Sequence, residues 1–443
     1  VVVPAPRCHG ATTQPSSNEE PGWTGATGPT VPRGFHALIA AQFVSGLADN
    51  ALLILTLARL AELAAPLWWA PLLKLGFTLA YVLLAPWVGA LADAWPKARV
   101  MFASNAAKAA ACLLIAAGGD PLLAFALAGL GAATYSPAKY GLVTELVPPA
   151  RLVAANGWIE ACTVGAVLFG TVLGGLLVAP WAQAAAAQAL PLAEIGTRLG
   201  PGLLAVLGLY GLAALLNLAI PDSGARYPRG PIGAVRLLRR FAADNRRLWR
   251  DPEGRVSLAV TTLFWGVGAT LQFIVLRWGQ EALGLSLHAA AGLQAAVAVG
   301  LIGGAWAAGA SLTLARATAV LPLGVAMGLL VPGLAAIDDA TAALPLLALV
   351  GACAGFFVVP MNALLQHRGH RLLSAGRSIA VQNFNENLGV LAMLALYAAL
   401  TAAALPLPAL MVGLGALVAV LTAVIGAGHR RHLATLAPLQ ETR

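Results

Sequence analysis

The chain has 443 residues, of which 59% are hydrophobic and only 10% charged, against roughly 25% charged in an ordinary soluble domain. With a mean hydropathy of +0.80 most of it belongs in lipid, which excludes a water-soluble enzyme. The net charge of +9 sits in short basic clusters between apolar runs, without the interleaved aromatics that base stacking uses, so nucleic acid is not an expected partner.

Taken from the N-terminus, residues 1–34 are rich in Pro, Gly, Ser and Thr. They lack the apolar core of a signal peptide and read as a disordered cytoplasmic tail, with the first apolar run as an uncleaved anchor. A span needs about 20 mostly apolar residues. Twelve runs qualify: 36–60, 69–92, 98–118, 121–143, 153–180, 200–220, 257–279, 286–313, 317–337, 341–365, 376–401 and 406–427. With the N-terminus cytoplasmic, 21 of the 27 Lys and Arg fall in inside segments and four (Arg59, Lys74, Arg198, Arg277) at the outer side. That bias predicts cytoplasmic termini and a multi-pass protein of the bacterial inner membrane.

The chain repeats itself. Phe43-Val-Ser-Gly-Leu-Ala-Asp49 is similar to Phe264-Trp-Gly-Val-Gly-Ala-Thr270, and the series Gly131, Pro137, Asn156, Glu160 is similar to Gly355, Pro360, Asn383, Glu386. The offsets lie near half the length, so two six-helix bundles are expected, over 35–220 and 257–428. A basic linker, 221–256, joins them, with a short amphipathic helix at the membrane surface, and a cytoplasmic tail, 429–443, closes the chain. This all-α plan of twelve transmembrane helices resembles the major facilitator fold. So does Gly89-Ala-Leu-Ala-Asp93 with Lys97 and Arg99 between the second and third spans: in that superfamily an Asp at a helix end meets basic residues and a neighbouring helix terminus, closing one face. A solvated loop acid is the alternative.

An ionisable group inside a span costs at least ~2.5–3.5 kcal/mol, so each is a functional candidate. Asp49, followed by Asn50, lies near mid-depth of the first span. Contact with substrate or a coupling ion is preferred to a purely structural ion pair, because the matching repeat position is the uncharged Thr270. Lys139 and Tyr140 follow the helix-interrupting Pro137; Lys139 either faces a cavity, where it suits a phosphate, or snorkels to the interface. Lys108, deeper, can neutralise an acid such as Asp49. Glu160 and Glu386 hold matched places just inside the membrane, the latter within Gln382-Asn-Phe-Asn-Glu-Asn387. That polar run must face protein or water, and gluing helices together is its alternative role. Glu145 and Arg151 bracket the fourth loop as gating or topogenic residues. Gln272 and Arg277 are polar members of the seventh span, Arg277 snorkelling outward. His367-Arg-Gly-His-Arg371 reads as topogenic charge in an inside loop. The Gly-rich stretches 170–175 and 300–309 allow close helix approach. No GK[ST], HExxH or GxSxG motif occurs, and no cofactor or metal is expected.

Several segments are similar to one family, the bacterial lysophospholipid transporters of the major facilitator superfamily: Ala41-Gln-Phe-Val-Ser45 with Asp49-Asn-Ala-Leu-Leu53, Tyr135-Ser-Pro-Ala-Lys-Tyr-Gly141, Phe356-Phe-Val-Val-Pro-Met-Asn-Ala-Leu-Leu-Gln366 and Ala380-Val-Gln-Asn383. The resemblance runs from about Phe35 to Ala427. It implies flipping of lysophosphatidylethanolamine or lysophosphatidylglycerol from the outer to the inner leaflet, and re-acylation by a partner acyltransferase/acyl-carrier-protein synthetase. A monomer among membrane lipids is expected. By position Asp49, Asn50, Lys139 and Tyr140 are assigned to the headgroup, with Gln272, Asn383 and Glu386 completing the site. The chain departs from the family at Gln272, where an Arg can stand, which weakens the phosphate-binding part of the reading. An exporter of drugs or other small molecules shares the architecture, and an integral-membrane acyltransferase is the rival of another class.

Overall fold

Among the described residues, twelve helices are long and apolar enough to cross a membrane. The computed structural model describes residues 33–66, 68–189, 199–228 and 233–440, so all but the last two residues of the expected tail 1–34 lie outside the described residues. The first bundle holds α1 (Arg33–Glu62), α2 (Trp69–Ala94), α3 (Lys97–Ala116), α4 (Pro121–Leu146), α5 (Leu152–Val178) and, after the short α6 (Pro180–Ala189), α7 (Gly200–Leu218). Helix α8 (Ala234–Arg250) lies in the linker. The second bundle holds α9 (Pro252–Glu281), α10 (Leu287–Ser311), a span built around α11 (Leu321–Leu330), α12 (Ala340–Leu372), α13 (Ala375–Ala402) and α14 (Leu407–Gln440).

Local chemistry sets the ends. Asp120, Asp251, Ser286 and Asp339 each accept a backbone N–H three residues on, satisfying donors that helix starts leave open. Pro86, Pro137, Pro345 and Pro360 sit inside helices, tolerable where neighbouring helices re-satisfy the freed carbonyls. The span around α11 is not a continuous α-helix: 3-10 turns, Leu314–Val320 and Val331–Ala336, flank it, each with Pro at or next to the junction. His367 and His370 lie in the last turns of α12 rather than in a loop, and α14 continues well past residue 427. Close approach by small residues is plain between α10 and α12, where a Cβ on Gly300 would collide with the Ala348 carbonyl.

One side of the membrane carries the start of α1, the linker and the end of α14, and is called here the linker face. Packing differs sharply between the two halves. On the linker side a single apolar core joins both bundles, from Leu38, Leu142 and Ile159 to Val260, Ala305 and Phe357. On the opposite side there are two separate cores: Leu52, Ile115, Phe125 and Tyr210 in the first bundle, Ile274, Trp278, Leu347 and Leu410 in the second. The bundles are thus welded at the linker face and independent beyond it.

Candidate functional site

The polar groups between the helices form three layers. At the linker face, Asp93 at the end of α2 reaches the start of α13. It accepts the Gly376 N–H at 2.8 Å and the Ser374 hydroxyl, with Arg377 Nε 3.8 Å away. The basic partner is therefore Arg377, not Lys97 or Arg99. Lys97 instead pairs with Glu145 at 2.6 Å and lies 4.7 Å over the Tyr227 ring. Glu145 also accepts from Ser223 at 2.5 Å and Tyr227 at 2.8 Å. Burial first, and then the Glu145 charge, raise the Tyr227 hydroxyl above its ordinary range. Arg99 and Arg151 are exposed, and among the described residues neither has a carboxylate within 4.0 Å.

The linker is bound into this layer. Trp249 donates to Asn385 at 3.1 Å, Asn385 donates to Asn245 at 2.9 Å, and Phe241 meets Phe384 edge-on. Arg368 grips Asp251 through two 2.8 Å bonds. Burial alone would raise the Asp251 carboxyl, but those bonds, with the Gly254 N–H, hold it below the usual carboxylate range.

The second layer crosses between the bundles. Asn156 on α5 and Gln366 on α12 exchange two amide bonds, 2.9 and 2.8 Å, and Asn383 on α13 donates to Ser136 on α4 at 2.9 Å. Every hydrogen bond or ion pair joining the two bundles among the described residues lies in these two layers. Truncating one partner of the reciprocal pair, Gln366→Leu, should cost about 1–3 kcal/mol, because a buried amide is left unpaired. The double change Asn156→Leu/Gln366→Leu should regain most of it. Thermal unfolding of the purified variants in detergent checks this; equal midpoints for single and double variants would refute it.

Next come Lys139, Glu160 and Glu386. Measured along their helices at 1.5 Å per residue, they lie roughly 10–16 Å in from the linker face. Lys139 is 6% exposed, Glu160 3% and Glu386 8%. The Lys139 ammonium sits 4.0 Å from the Tyr140 ring centroid, a cation–π contact. Among the described residues no carboxylate lies within 4.0 Å of Lys139. Glu386 accepts from Gln382 at 2.8 Å, which also donates to Asn362 at 3.1 Å.

The third layer lies at mid-depth within the first bundle. Lys108 on α3 donates to Asp49 on α1 at 2.8 Å and to Ser45 at 3.1 Å. Tyr210 on α7 holds the other Asp49 oxygen at 2.9 Å, and Ser45 donates to Asn105 at 2.8 Å. The Lys108 side chain is 2% exposed and that of Asp49 21%, so Asp49 is neither sealed nor free. Its repeat counterpart Thr270 bonds, among the described residues, only its own helix, at Gly266 O.

Of the residues singled out from sequence, Lys139, Tyr140, Glu160, Asn383 and Glu386 share one region. Asn50 does not contribute its amide, which donates to Gly46 O at 2.8 Å in its own helix. Gln272 is not part of the charged group either. It is exposed on α9, its carbonyl accepts from Gln294, and twenty residues from the start of that helix it stands about 30 Å from the linker face. Sequence reasoning missed Tyr210, Ser136 and Gln366 as partners. The spacing of Asn105 and Lys108, three apart on one helix face, was the available signal for the mid-depth layer.

Residues 38–393 match the family model of the Major Facilitator Superfamily. The lysophospholipid transporter of Pectobacterium carotovorum is 43% identical over 83% of this chain and 87% of its own length. That of Escherichia coli is 40% identical over 90% and 97%. The chain belongs to the lysophospholipid transporter family of the major facilitator superfamily. As a member it is a transporter by family. Its fold is shared by solved transporters: FucP in the outward conformation superposes with a TM-score of 0.68 at 16% identity, covering 89% of this chain and 97% of FucP. A bacterial homologue of the iron transporter ferroportin, in an outward-facing state, gives 0.66 over 90% and 99%.

Proposed function

We propose that this transporter moves lysophospholipids between the leaflets of a bacterial inner membrane by alternating access. The observation that carries the reading is the identity of 40–43% to lysophospholipid transporters along 83–90% of the chain. The basic bias supports a cytoplasmic linker face. The structure is then outward-facing, its inner floor made by the Asp93 and Asn156–Gln366 layers. Those bonds are worth about 0.5–1.5 kcal/mol each, so the floor is a reversible closure of a few kcal/mol.

In this reading a headgroup descends until its phosphate meets Lys139, a buried cation with no carboxylate within 4.0 Å among the described residues. An ethanolamine ammonium settles on Glu160 and Glu386, the two acids within the described spans that have no Lys or Arg within 4.0 Å. Asp49, already held by Lys108 and Tyr210, offers its exposed edge to the headgroup. Direction from outer to inner leaflet, ethanolamine or glycerol headgroups, a monomeric working unit and a re-acylating acyltransferase/acyl-carrier-protein synthetase as partner belong to the same proposal.

Reconstituted into liposomes, the purified protein should flip fluorescent lysophosphatidylethanolamine at least tenfold faster than empty vesicles. Lys139→Gln should remove most of that rate. Absence of lysolipid flipping beside intact movement of a small amphiphilic drug would establish the exporter instead.

A further inference from the structure

Resting on the lysophospholipid reading, a second feature concerns the acyl chain. On the opposite half of the second bundle an apolar cavity of about 220 Å³ opens between α9, α13 and α14. It runs from Leu405 and Leu400, at the ends of the helices, past Tyr397 and Gly413 to Thr270 and Leu417 near mid-depth. An apolar void of roughly 150 Å³ already holds a benzene ring, whereas whole-ligand pockets take about 300–1,000 Å³. The space suits part of a chain, with the polar end outside.

The polar end has a matching group. Arg277 shares a helix face with Thr270 and Ile274, four and three residues apart along α9, and it lies beside Tyr397 of the cavity wall. Its Nε is taken by Glu281 at 2.5 Å, a rim pair in which Glu281 is exposed. Its Nη1 is buried with no hydrogen-bond partner. A cation whose Nη1 has no hydrogen-bond partner among the described residues therefore stands beside Tyr397 at the outer end of the cavity wall.

We infer that this slot is a loading site for a lysophospholipid entering from the leaflet away from the linker: the single acyl chain lies between α13 and α14, and the phosphate accepts from Arg277. A hydrocarbon of an ordinary two-chain lipid is the competing occupant. The slot also accounts for a glycine: a Cβ on Gly413 would meet nothing within 4 Å, so a larger side chain there fills the cavity before it strains the fold.

Liposome flipping of palmitoyl lysophosphatidylethanolamine tests this. Gly413→Leu and Arg277→Gln should each raise the apparent KM about tenfold with little change in maximal rate, and Gly413→Leu should lose its effect with a hexanoyl substrate. Wild-type kinetics in both variants, while the wild-type protein flips lysolipid, would overturn the slot and spare the transporter. A wild-type protein that flips no lysolipid would end the transporter reading itself. Independently of whether the variants fold, a lysophosphatidylethanolamine with a diazirine in its chain should cross-link the wild-type protein within 393–417. Excess unlabelled lysolipid should protect and diacyl lipid should not. Cross-links confined to other helices, or equal protection by diacyl lipid, would overturn the assignment.

Discussion

Asp49→Ala should abolish lysophospholipid uptake in spheroplasts and also lower the yield of folded protein. As a ligand residue alone, Asp49 would be replaceable without loss of folded protein. The structure changes that expectation. Lys108 is held between four helices. Asp49 accepts its hydrogen bond at 2.8 Å, the Tyr135 and Tyr210 rings lie 5.0 and 5.9 Å from its ammonium, and Gly131 is backed so closely that a Cβ there would meet Lys108 Cγ at 2.8 Å. Removing the carboxylate strands a buried ammonium. Breaking one side of a buried pair costs about 3–5 kcal/mol, tempered here by the partial exposure of Asp49. Asp49→Ala/Lys108→Met removes both charges and should restore yield. If it restored uptake as well, Asp49 would be a structural counter-ion only; continued loss of uptake with normal yield would assign the residue to the transport step.

Gly157→Leu should cost more than tenfold in transport rate with folding retained, by preventing the linker face from closing. Gly157 on α5 faces α10 so closely that a Cβ would stand 2.7 Å from the Ala305 carbonyl oxygen. That neighbour is backbone, so the helices must part. Overpacking of this kind costs typically 1–3 kcal/mol, comparable to the few kcal/mol separating the states of a two-state carrier, and 1.4 kcal/mol already shifts a population tenfold. The population should move toward a form open at the linker face. A cysteine placed at Ser136, in a variant without the native cysteines, should then label faster from the linker side of inverted vesicles. Unchanged labelling with unchanged transport would mean that the α5–α10 crossing is not part of the closure.

Much of this protein was legible because lipid imposes one-dimensional rules. A span must be about 20 apolar residues long, and basic residues collect on one side, so the twelve spans could be counted along the chain. Charge in hydrocarbon is costly wherever it stands, which is why Asp49, Lys108, Lys139, Glu160 and Glu386 stood out before any partner was known. The likeness to one transporter family was equally local, carried by short runs such as Tyr135–Gly141 and Phe356–Gln366.

What only the tertiary structure decided is which of those charges are already satisfied and which face is shut. Asp49 and Lys108 stand 59 residues apart, Asn156 and Gln366 210, and Asp93 and Gly376 283. No spacing rule reaches that far, because helices in a bundle choose neighbours by shape. The physical reason is that hydropathy records the transfer of each residue from water, one at a time. A hydrogen bond or ion pair between helices is a property of two residues and of the conformation that brings them together.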